Sequence, residues 1–229
     1  MKIETICFVP ARIGSKSIRY KNLQKISGKE LIKYTFNICK YFKNKFISII
    51  SSDSEKILKI GKSFSLYSNG LRPKKLSTDH VLTYDVIKYE LYKIEKKLNY
   101  HFKNIMILQP TCPFRKIRTI NKALRIISSK KYDSVTTICG VRGYHPERMK
   151  VLKKKKIYNY TKKITENLKP RQSLPKVYIR SGSIYLIKRD AFFKYKSLIG
   201  KNCFGIIVRE KEAINIDDKT DLIIARNIS

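Results

Sequence analysis

A cluster of small and basic residues directly follows an apolar segment near the start of the chain. Residues 8–22 read FVPARIGSKSIRYKN, with one glycine, two serines and the cations Arg12, Lys16, Arg19 and Lys21. The backbone N–H groups of a short loop can bind phosphate oxygens, while arginine and lysine neutralise their charge. The stretch therefore indicates a site for an anionic ligand. A solvated basic loop is the alternative interpretation.

The spacing of this loop excludes two common phosphate-binding motifs. The Walker pattern G-x-x-x-x-G-K-[ST] is absent, and so is the dinucleotide fingerprint G-x-G-x-x-G. The loop alone thus predicts the charge of a ligand and leaves its identity open.

Length and composition favour a globular α/β protein. The chain has 229 residues, of which 42% are hydrophobic, enough for one full core. No apolar run approaches the roughly 20 residues that span a bilayer, so we expect no membrane segment, no signal peptide and a cytoplasmic location. Five scattered cysteines without a C-x-x-C pair favour reduced thiols over disulfides or a zinc site.

The formal charge of +34 raises the question of nucleic-acid binding. The lysines are spread along the chain, which favours a generally basic surface over a specific nucleic-acid site. One segment, 150–163 (KVLKKKKIYNYTKK), combines clustered cations with interleaved tyrosines, as single-strand binders do. We expect no specific nucleic-acid partner, although the charge should attract anionic substrates.

Apolar and amphipathic segments alternate along most of the chain. Strands are predicted at 4–11, 45–52, 64–68, 104–110, 133–139, 182–187 and 203–208. Helices are predicted at 29–42, 54–62 with Asp53 as N-cap, 83–98, around 117–127, and at 217–228. This alternation predicts a mostly parallel sheet with helices on both faces.

The alternation is interrupted between 143 and 182. This stretch is polar and rich in lysine, contains Pro146, Pro170 and Pro175, and includes a predicted hairpin at 149–161 that turns at the lysines. We interpret 143–182 as a segment inserted into an α/β domain made of residues 1–142 and 183–229.

Four further stretches share their order and spacing with a known family. They are LRPKKLSTD at 71–79, LQPTCPFR at 108–115, RQSLPKVYIRSGSIYLI at 171–187 and INIDDKTDLIIA at 214–225. Together with the opening loop, they resemble the acylneuraminate cytidylyltransferases, the CMP-sialic acid synthetases, from about residue 4 to 228. The resemblance implies a three-layer, Rossmann-like nucleotidyltransferase fold with a mixed, mostly parallel sheet. It also implies that the inserted segment is a small dimerisation domain that forms a homodimer.

The resemblance implies a reaction as well. CTP and a nine-carbon 2-keto sugar acid, such as N-acetylneuraminic acid, would give a CMP-sugar and pyrophosphate. Legionaminic acid, pseudaminic acid and the eight-carbon Kdo remain alternative substrates, and a basic nucleic-acid-binding protein is the alternative from another class.

By the same resemblance, two groups of residues bind the nucleotide. The residues that hold the phosphates are Arg12, Ser15, Lys16, Lys21 and Asn22. Arg72 and Thr83 would read the cytosine.

The sugar-acid residues are implied in the same way. Gln109 would face the sugar, although it could instead be a strand-end residue that caps the next helix. Arg148 and Arg171 would bind the carboxylate, since arginine can hold it through two parallel hydrogen bonds. Tyr185 would line the sugar pocket or, alternatively, belong to the core.

The late acidic stretch bears on metal binding. Nucleotidyl transfer needs Mg²⁺, for which Mn²⁺ can substitute, to offset the charge on the phosphates. The family usually has two aspartates where this chain has Asn215 and Asp217, so Asp217 should be the main ligand and, with Arg12 and Lys21, carry catalysis. Asp218 and Asp221 fit helix N-terminal charges better than ligands.

Histidine and cysteine are two other residue types that can do chemistry. His145 precedes Pro146 and is expected to shape a turn. Cys112 has no histidine or acid partner in the sequence and is expected to be a packed residue and not a nucleophile.

Overall fold

The computed structural model describes residues 3–141, 143–161 and 168–229. The strands in these ranges are β1 (Thr5–Pro10), β2 (Lys25–Ile26), β3 (Lys29–Glu30), β4 (Phe46–Ser51), β5 (Asn104–Ile107), β6 (Ser134–Gly140), β7 (Lys150–Lys153), β8 (Lys156–Asn159), β9 (Tyr178–Lys188) and β10 (Cys203–Ile207). The α-helices are α1 (Leu31–Tyr41), α2 (Glu55–Ser63), α3 (Thr83–Leu98), α4 (Ile117–Ser128), α5 (Arg189–Tyr195), α6 (Glu210–Ala213) and α7 (Lys219–Ile228). Among the described residues, none of the helices combines the length and the apolar character that a membrane crossing needs.

Six strands form one sheet in the order β10-β6-β9-β5-β1-β4. β1 pairs in parallel with β4 and β5, and β10 pairs in parallel with β6, whereas β9 is antiparallel to both of its neighbours. The predicted mixed, mostly parallel sheet is confirmed. The chain leaves β1 towards β4 and returns to β5 on the other side of β1, and ligands of open α/β sheets bind at the carboxyl ends of strands at such a reversal.

The sheet is covered on both faces, which confirms three layers. Along β1, Cys7 and Val9 belong to a core cluster with residues of α1, α2 and α4, whereas Ile6 and Phe8 belong to a second cluster with residues of α3 and α5. Successive side chains of a strand point to opposite faces, so a strand buried on both sides needs a continuous apolar run. This is why β1 reads TICFVP.

Two local predictions around β4 were wrong. Asp53 is not an N-cap: Ser54 occupies that position, and the Asp53 carboxylate accepts a hydrogen bond from the backbone of Ile13 at 2.8 Å. The strand predicted at 64–68 reduces to one parallel bridge between Ile49 and Tyr67, because Ser65 has a positive φ of 63° that an extended strand cannot continue through.

The hairpin predicted at 149–161 is confirmed as β7 and β8. It turns at Lys154 and Lys155, whose φ angles of 45° and 66° place both residues in the left-handed region that two-residue hairpin turns require. A second, unpredicted hairpin, β2–β3, turns at Ser27 and Gly28 and delays the start of α1 to Leu31.

The N-terminus of α7 is capped as expected. Asp218 accepts from the backbone N–H of Asp221 at 2.9 Å, and the Asp221 carboxylate accepts from the backbone of Asp218 at 3.1 Å. This reciprocal pair satisfies N–H groups that have no partner inside the helix. The interpretation of both acids as helix N-terminal residues is confirmed.

Candidate active site

A cleft of about 300 Å³ lies at the carboxyl ends of β1 and β5, where the strand order reverses. Many of the residues expected to bind substrate come together there from five separate stretches of sequence. Those that line the cleft are Arg12, Ser15, Lys21, Asn22, Arg72, Thr83, Gln109 and Asp217. The fold therefore brings the nucleotide residues of the sequence pattern into one cavity.

The opening loop is held in shape by two neighbouring side chains. Asp53 accepts from the N–H of Ile13, and the amide nitrogen of Asn22 donates to the carbonyl of Arg12 at 2.9 Å. Asn22 is buried, and its Oδ1 has no hydrogen-bond partner within the described part of the chain. In this conformation Asn22 supports the loop backbone, so its predicted contact with phosphate would be made alongside that role.

Each of three loop cations faces a carboxylate. The Nζ of Lys21 lies 3.2 Å from Oδ1 of Asp217. The side chain of Lys21 is 16% exposed and that of Asp217 is 66% exposed. Arg12 and Lys16 both pair with Asp79, Lys16 at 3.0 Å. Lys16 does not itself line the cleft, but Asp79 does. These ion pairs hold positive charge at the cleft and at its rim.

Arg72 is a buried cation that lines the cleft. Arg72 is only 6% exposed, and its Nε has no hydrogen-bond partner among the described residues. Burial lowers the pKa of Arg72, while the charges of Asp53 and Glu90 oppose that shift. Because arginine stays protonated in proteins, a buried donor without a partner is costly unless a ligand completes the site.

Thr83 begins α3, a helix of 16 residues whose amino end lines the cleft with Thr83 and Val86. The free N–H groups and the positive end of the helix dipole favour negative charge there. This feature adds to the cations of the opening loop, so the cleft suits an anionic ligand on two sides.

The side chain of Gln109 rests against Gly182 of β9. A Cβ added to Gly182 would lie 2.9 Å from Oε1 of Gln109, and Gly182 has a φ of +74°. The register of β9 with β6 shifts at this point, as in a β-bulge. Glycine is needed here both for space and for backbone conformation.

The turn that carries Gln109 is fixed from below by Arg115. This buried guanidinium donates to the carbonyls of Gln109 at 2.9 Å and Ser183 at 2.7 Å, and to Oγ1 of Thr35 at 3.1 Å. Three donors of one planar group thus join the end of β5, β9 and α1. The backbone of Gln109 is thereby tied to two other elements of the fold.

Asp217 and Asn215 are neighbours, as the sequence pattern predicts. The amide nitrogen of Asn215 donates to Oδ2 of Asp217, and Sγ of Cys112 donates to Oδ1 of Asn215 at 3.5 Å. Within the described ranges, no group of three histidine, cysteine, aspartate or glutamate side chains is arranged to hold a metal ion. A metal ion bound here would depend on the carboxylate of Asp217 together with oxygen atoms of the substrate.

The two expectations about His145 and Cys112 are confirmed. His145 caps a 3₁₀ helix, Pro146–Arg148, with its Nδ1 accepting from Glu147 at 3.2 Å, so it shapes a turn. Cys112 is fully buried, and burial raises the pKa of its thiol to about 11. The thiol is therefore protonated at neutral pH and unsuited to nucleophilic attack.

Two described residues predicted for the sugar acid, Tyr185 and Arg148, do not line the cleft. Tyr185 is 8% exposed and packs in the second core cluster, the alternative that the sequence left open for it. Arg148 is exposed and donates to the carbonyl of Lys169 at 3.3 Å. Arg171 begins a 3₁₀ helix, Arg171–Ser173, and its side chain lies outside the described part of the structure.

Three residues near the site were missed by the sequence reasoning. Asp53, Asp79 and Arg115 each contact a residue from a distant part of the chain. Asp79 and Arg115 end two of the quoted motifs, LRPKKLSTD and LQPTCPFR, and that position was the available signal. Asp53 follows the carboxyl end of β4, where the rule for open sheets also points.

Comparisons with known proteins agree with this geometry. The chain is 29% identical over 221 residues to the post-translational flagellin modification protein B of Campylobacter coli, covering 96% of this chain and 93% of the relative. It is 28% identical to the CMP-N,N'-diacetyllegionaminic acid synthase of Campylobacter jejuni, with 99% and 97% covered. The chain spans about half, 52%, of the N-acylneuraminate cytidylyltransferase of Streptococcus agalactiae serotype V, at 28% identity over 96% of this chain.

A solved structure shares the fold. CMP:2-keto-3-deoxy-manno-octonic acid synthetase, in complex with CTP, superposes with a TM-score of 0.67 at 14% identity, with 98% of each chain covered. The family model described as cytidylyltransferase matches residues 6–202. The resemblance drawn from five short motifs is thereby confirmed, and the chain belongs to the cytidylyltransferase family.

Proposed function

We propose that this chain transfers the cytidylyl group of CTP to a 2-keto sugar acid of the nonulosonic class, giving a CMP-sugar and pyrophosphate. The observation that carries the proposal is the assembly, in one cleft, of eight residues expected to bind CTP, the sugar acid or a metal ion. The names of two relatives support N-acylneuraminic and legionaminic acids as candidate acceptors. Pseudaminic acid and Kdo stay in the test as alternatives.

The cleft suits the nucleotide from two directions. Arg12, Lys16 and Lys21 would neutralise the triphosphate. The buried guanidinium of Arg72 supplies a donor with no protein partner among the described residues, which suits an acceptor on the cytosine edge. Thr83, in the first turn of α3, also lines the cleft.

The proposed reaction is an in-line displacement. The anomeric hydroxyl of the sugar acid releases its proton to water as its oxygen forms a bond to the α-phosphorus, and the bond from that phosphorus to the bridging oxygen breaks. The electron pair leaves with pyrophosphate, whose growing charge faces Arg12 and Lys21. Positioning and charge neutralisation supply the catalysis, with no covalent enzyme intermediate.

Asp217 suits a magnesium ion that arrives with the nucleotide. Magnesium uses one or two carboxylates together with phosphate oxygens and waters, and Asp217 offers an exposed carboxylate at the cleft. Asn215 is an amide beside it, so the donor set fits one carboxylate better than two. When bound, the metal would offset phosphate charge, while Lys21 and Asn215 orient the carboxylate.

The sugar-acid carboxylate is assigned to Arg148 and Arg171, acting in a homodimer. The segment 143–182 exposes several large apolar side chains: Leu152, Ile157, Tyr158, Tyr160 and Leu168. Exposed apolar side chains of this kind support a protein interface, and a second copy of the chain is the proposed partner. Arg148 does not line the cleft of its own chain, and Arg171 belongs to the same segment, so we assign both to the cleft of the partner.

One assay tests the reaction. The protein is incubated with CTP, Mg²⁺ and, in turn, N-acetylneuraminic, legionaminic and pseudaminic acids and Kdo, and pyrophosphate release and the CMP-sugar are measured. ATP and GTP replace CTP as controls. Release that requires both CTP and one of the acids supports the proposal. Comparable turnover with purine nucleotides would refute the base assignment, and no turnover with any acid would refute the acceptor class.

A further inference from the structure

The turn that follows the 3₁₀ helix Lys74–Leu76 places a carboxylate at the phosphate-binding cations. Asp79 lines the cleft, and its two oxygens pair with different residues, Oδ1 with Arg12 and Oδ2 with Lys16 at 3.0 Å. Among the described residues that line the cleft, only Asp79 and Asp217 carry a carboxylate. Asp217 has a proposed use in metal binding. Asp79 has none so far.

We propose that Asp79 is an internal counter-ion that occupies the phosphate-binding cations and competes with the triphosphate for them. The inference rests on the proposed function, because it takes Arg12 and Lys16 as phosphate-binding residues. The effect of Asp79 on nucleotide affinity is then opposite to that of its neighbours. Asp79 weakens nucleotide binding, whereas the residues around it strengthen binding.

The contacts suit a carboxylate that can be displaced. The side chain of Asp79 is 28% exposed, and those of Arg12 and Lys16 are 35% and 80% exposed. Exposed ion pairs are weak because water screens them and two long side chains lose freedom. A triphosphate carries several negative charges, so it outcompetes a single carboxylate for the same two cations.

The carboxylate is charged at neutral pH, as the competition requires. Hydrogen bonds from Lys16 and then from Arg12 lower the pKa of Asp79 below its ordinary value. Arg12 and Lys16 therefore keep a partner when the cleft holds no nucleotide, and their side chains stay beside Asp79. When pyrophosphate leaves, Asp79 can pair with them again, which favours release of this product.

The test is a binding measurement with Asp79→Asn, which keeps the shape and removes the charge. Inorganic tripolyphosphate and CTP are titrated by calorimetry at low ionic strength. We expect both to bind about three- to tenfold more tightly than to the wild type, the gain from removing two exposed ion pairs. Asp190→Asn, an equal change of charge in the first turn of α5 and away from the cleft, should leave both affinities unchanged.

The same substitution made in an Arg12→Ala variant tests whether the gain in affinity comes from the ion pair. In Arg12→Ala, which lacks one of the two cations, the effect of Asp79→Asn on tripolyphosphate binding should shrink. Asp79→Ser serves as a second neutral variant, and thermal unfolding shows that each variant folds. Unchanged or weaker binding in folded Asp79 variants would overturn the inference, as would an equal gain in the Arg12→Ala background.

The outcome also separates this inference from the proposed function. A wild type that binds tripolyphosphate but not CTP contradicts the cytidylyltransferase activity and still tests Asp79 through tripolyphosphate. A wild type that binds CTP, with no tightening in Asp79→Asn, keeps the activity and overturns the inference. Binding of neither ligand overturns both.

Discussion

The nucleotide side and the sugar-acid side of this molecule are built in different ways. The residues expected to hold CTP lie in the stretch 12–22 after β1, just before the 3₁₀ helix Lys74–Leu76 and at the start of α3, and all of them except Lys16 line a single cleft within one chain. Of the sugar-acid residues, Gln109 reaches that cleft, whereas Arg148 lies on an exposed segment and Tyr185 lies in the core. A sheet that brings strand ends together can position a nucleotide without help. The arginines proposed for the sugar-acid carboxylate are instead assigned to the cleft of a second chain, and substitutions can test this contrast.

The largest effect is expected at Asp217. Asp217→Ala should reduce the rate by about a hundredfold or more, since a metal ligand stabilises the transition state by several kcal/mol. Asn215→Ala should cost much less. Asn215→Asp should lower the Mg²⁺ concentration for half-maximal rate, because a hard cation prefers a charged oxygen. A magnesium titration of initial rates compares all three, and an active Asp217→Ala at ordinary magnesium would show that the metal is held elsewhere.

The next effect concerns the cations of the opening loop. Arg12→Ala and Lys21→Ala should each weaken CTP binding about ten- to a hundredfold, the value of a charge-assisted hydrogen bond of roughly 1.5–3 kcal/mol. The melting temperature should stay nearly unchanged, because both side chains reach the cleft and neither is part of a core cluster. Full activity of either variant at subsaturating CTP would contradict the phosphate assignment.

Arg171 offers the clearest way to break the contrast. Arg171→Ala should raise the KM for the sugar acid about tenfold, as expected for the loss of a charge-assisted contact, and leave CTP binding unchanged. A loss of CTP binding instead would place Arg171 on the nucleotide side.

Mixing subunits then shows which chain Arg171 serves. If Arg171 acts in the partner's cleft, an equimolar mixture of Arg171→Ala and Asp217→Ala subunits, assayed well below the KM for the sugar acid, should recover about a quarter of the wild-type rate. Half of the dimers are then mixed, and each holds one complete site. No recovery after verified subunit exchange would mean that Arg171 acts within its own chain.

The smallest effect is expected at the contact between Gly182 and Gln109. Gly182→Ala should raise the sugar-acid KM about three- to tenfold, since a Cβ would push Gln109 from its place and strain a left-handed residue by about 1–2 kcal/mol. The matched control is Gly140→Ala on β6, where an added Cβ meets nothing within 4 Å. In a Gln109→Ala background the further effect of Gly182→Ala on KM should largely disappear. A full, additive effect there would show that Gly182 does not act through Gln109.

The sequence was informative where one local pattern determines one structural outcome. Continuous apolar runs predicted buried strands such as β1, and the cations that follow β1 directed attention to a loop whose residues line the cleft, because both patterns are local. Contacts between distant stretches of the chain could not be predicted from the sequence. Nothing in the spacing shows that Asp53 bonds Ile13 or that Asp79 reaches Arg12, since these depend on how the sheet order places separate loops side by side. The same reason explains why Asp53 was wrongly expected to cap α2.

β9 joins two different environments in one strand. Its first residues, Tyr178 to Arg180, are exposed, and its later residues, from Ser181 to Ile187, are buried in the sheet. At the boundary, the carbonyl of Ser181 accepts from Cys112, and the side chain of Gln109, which lines the cleft, rests against Gly182. A substitution in the exposed part of β9 is therefore made on the same backbone that holds Gln109 in place.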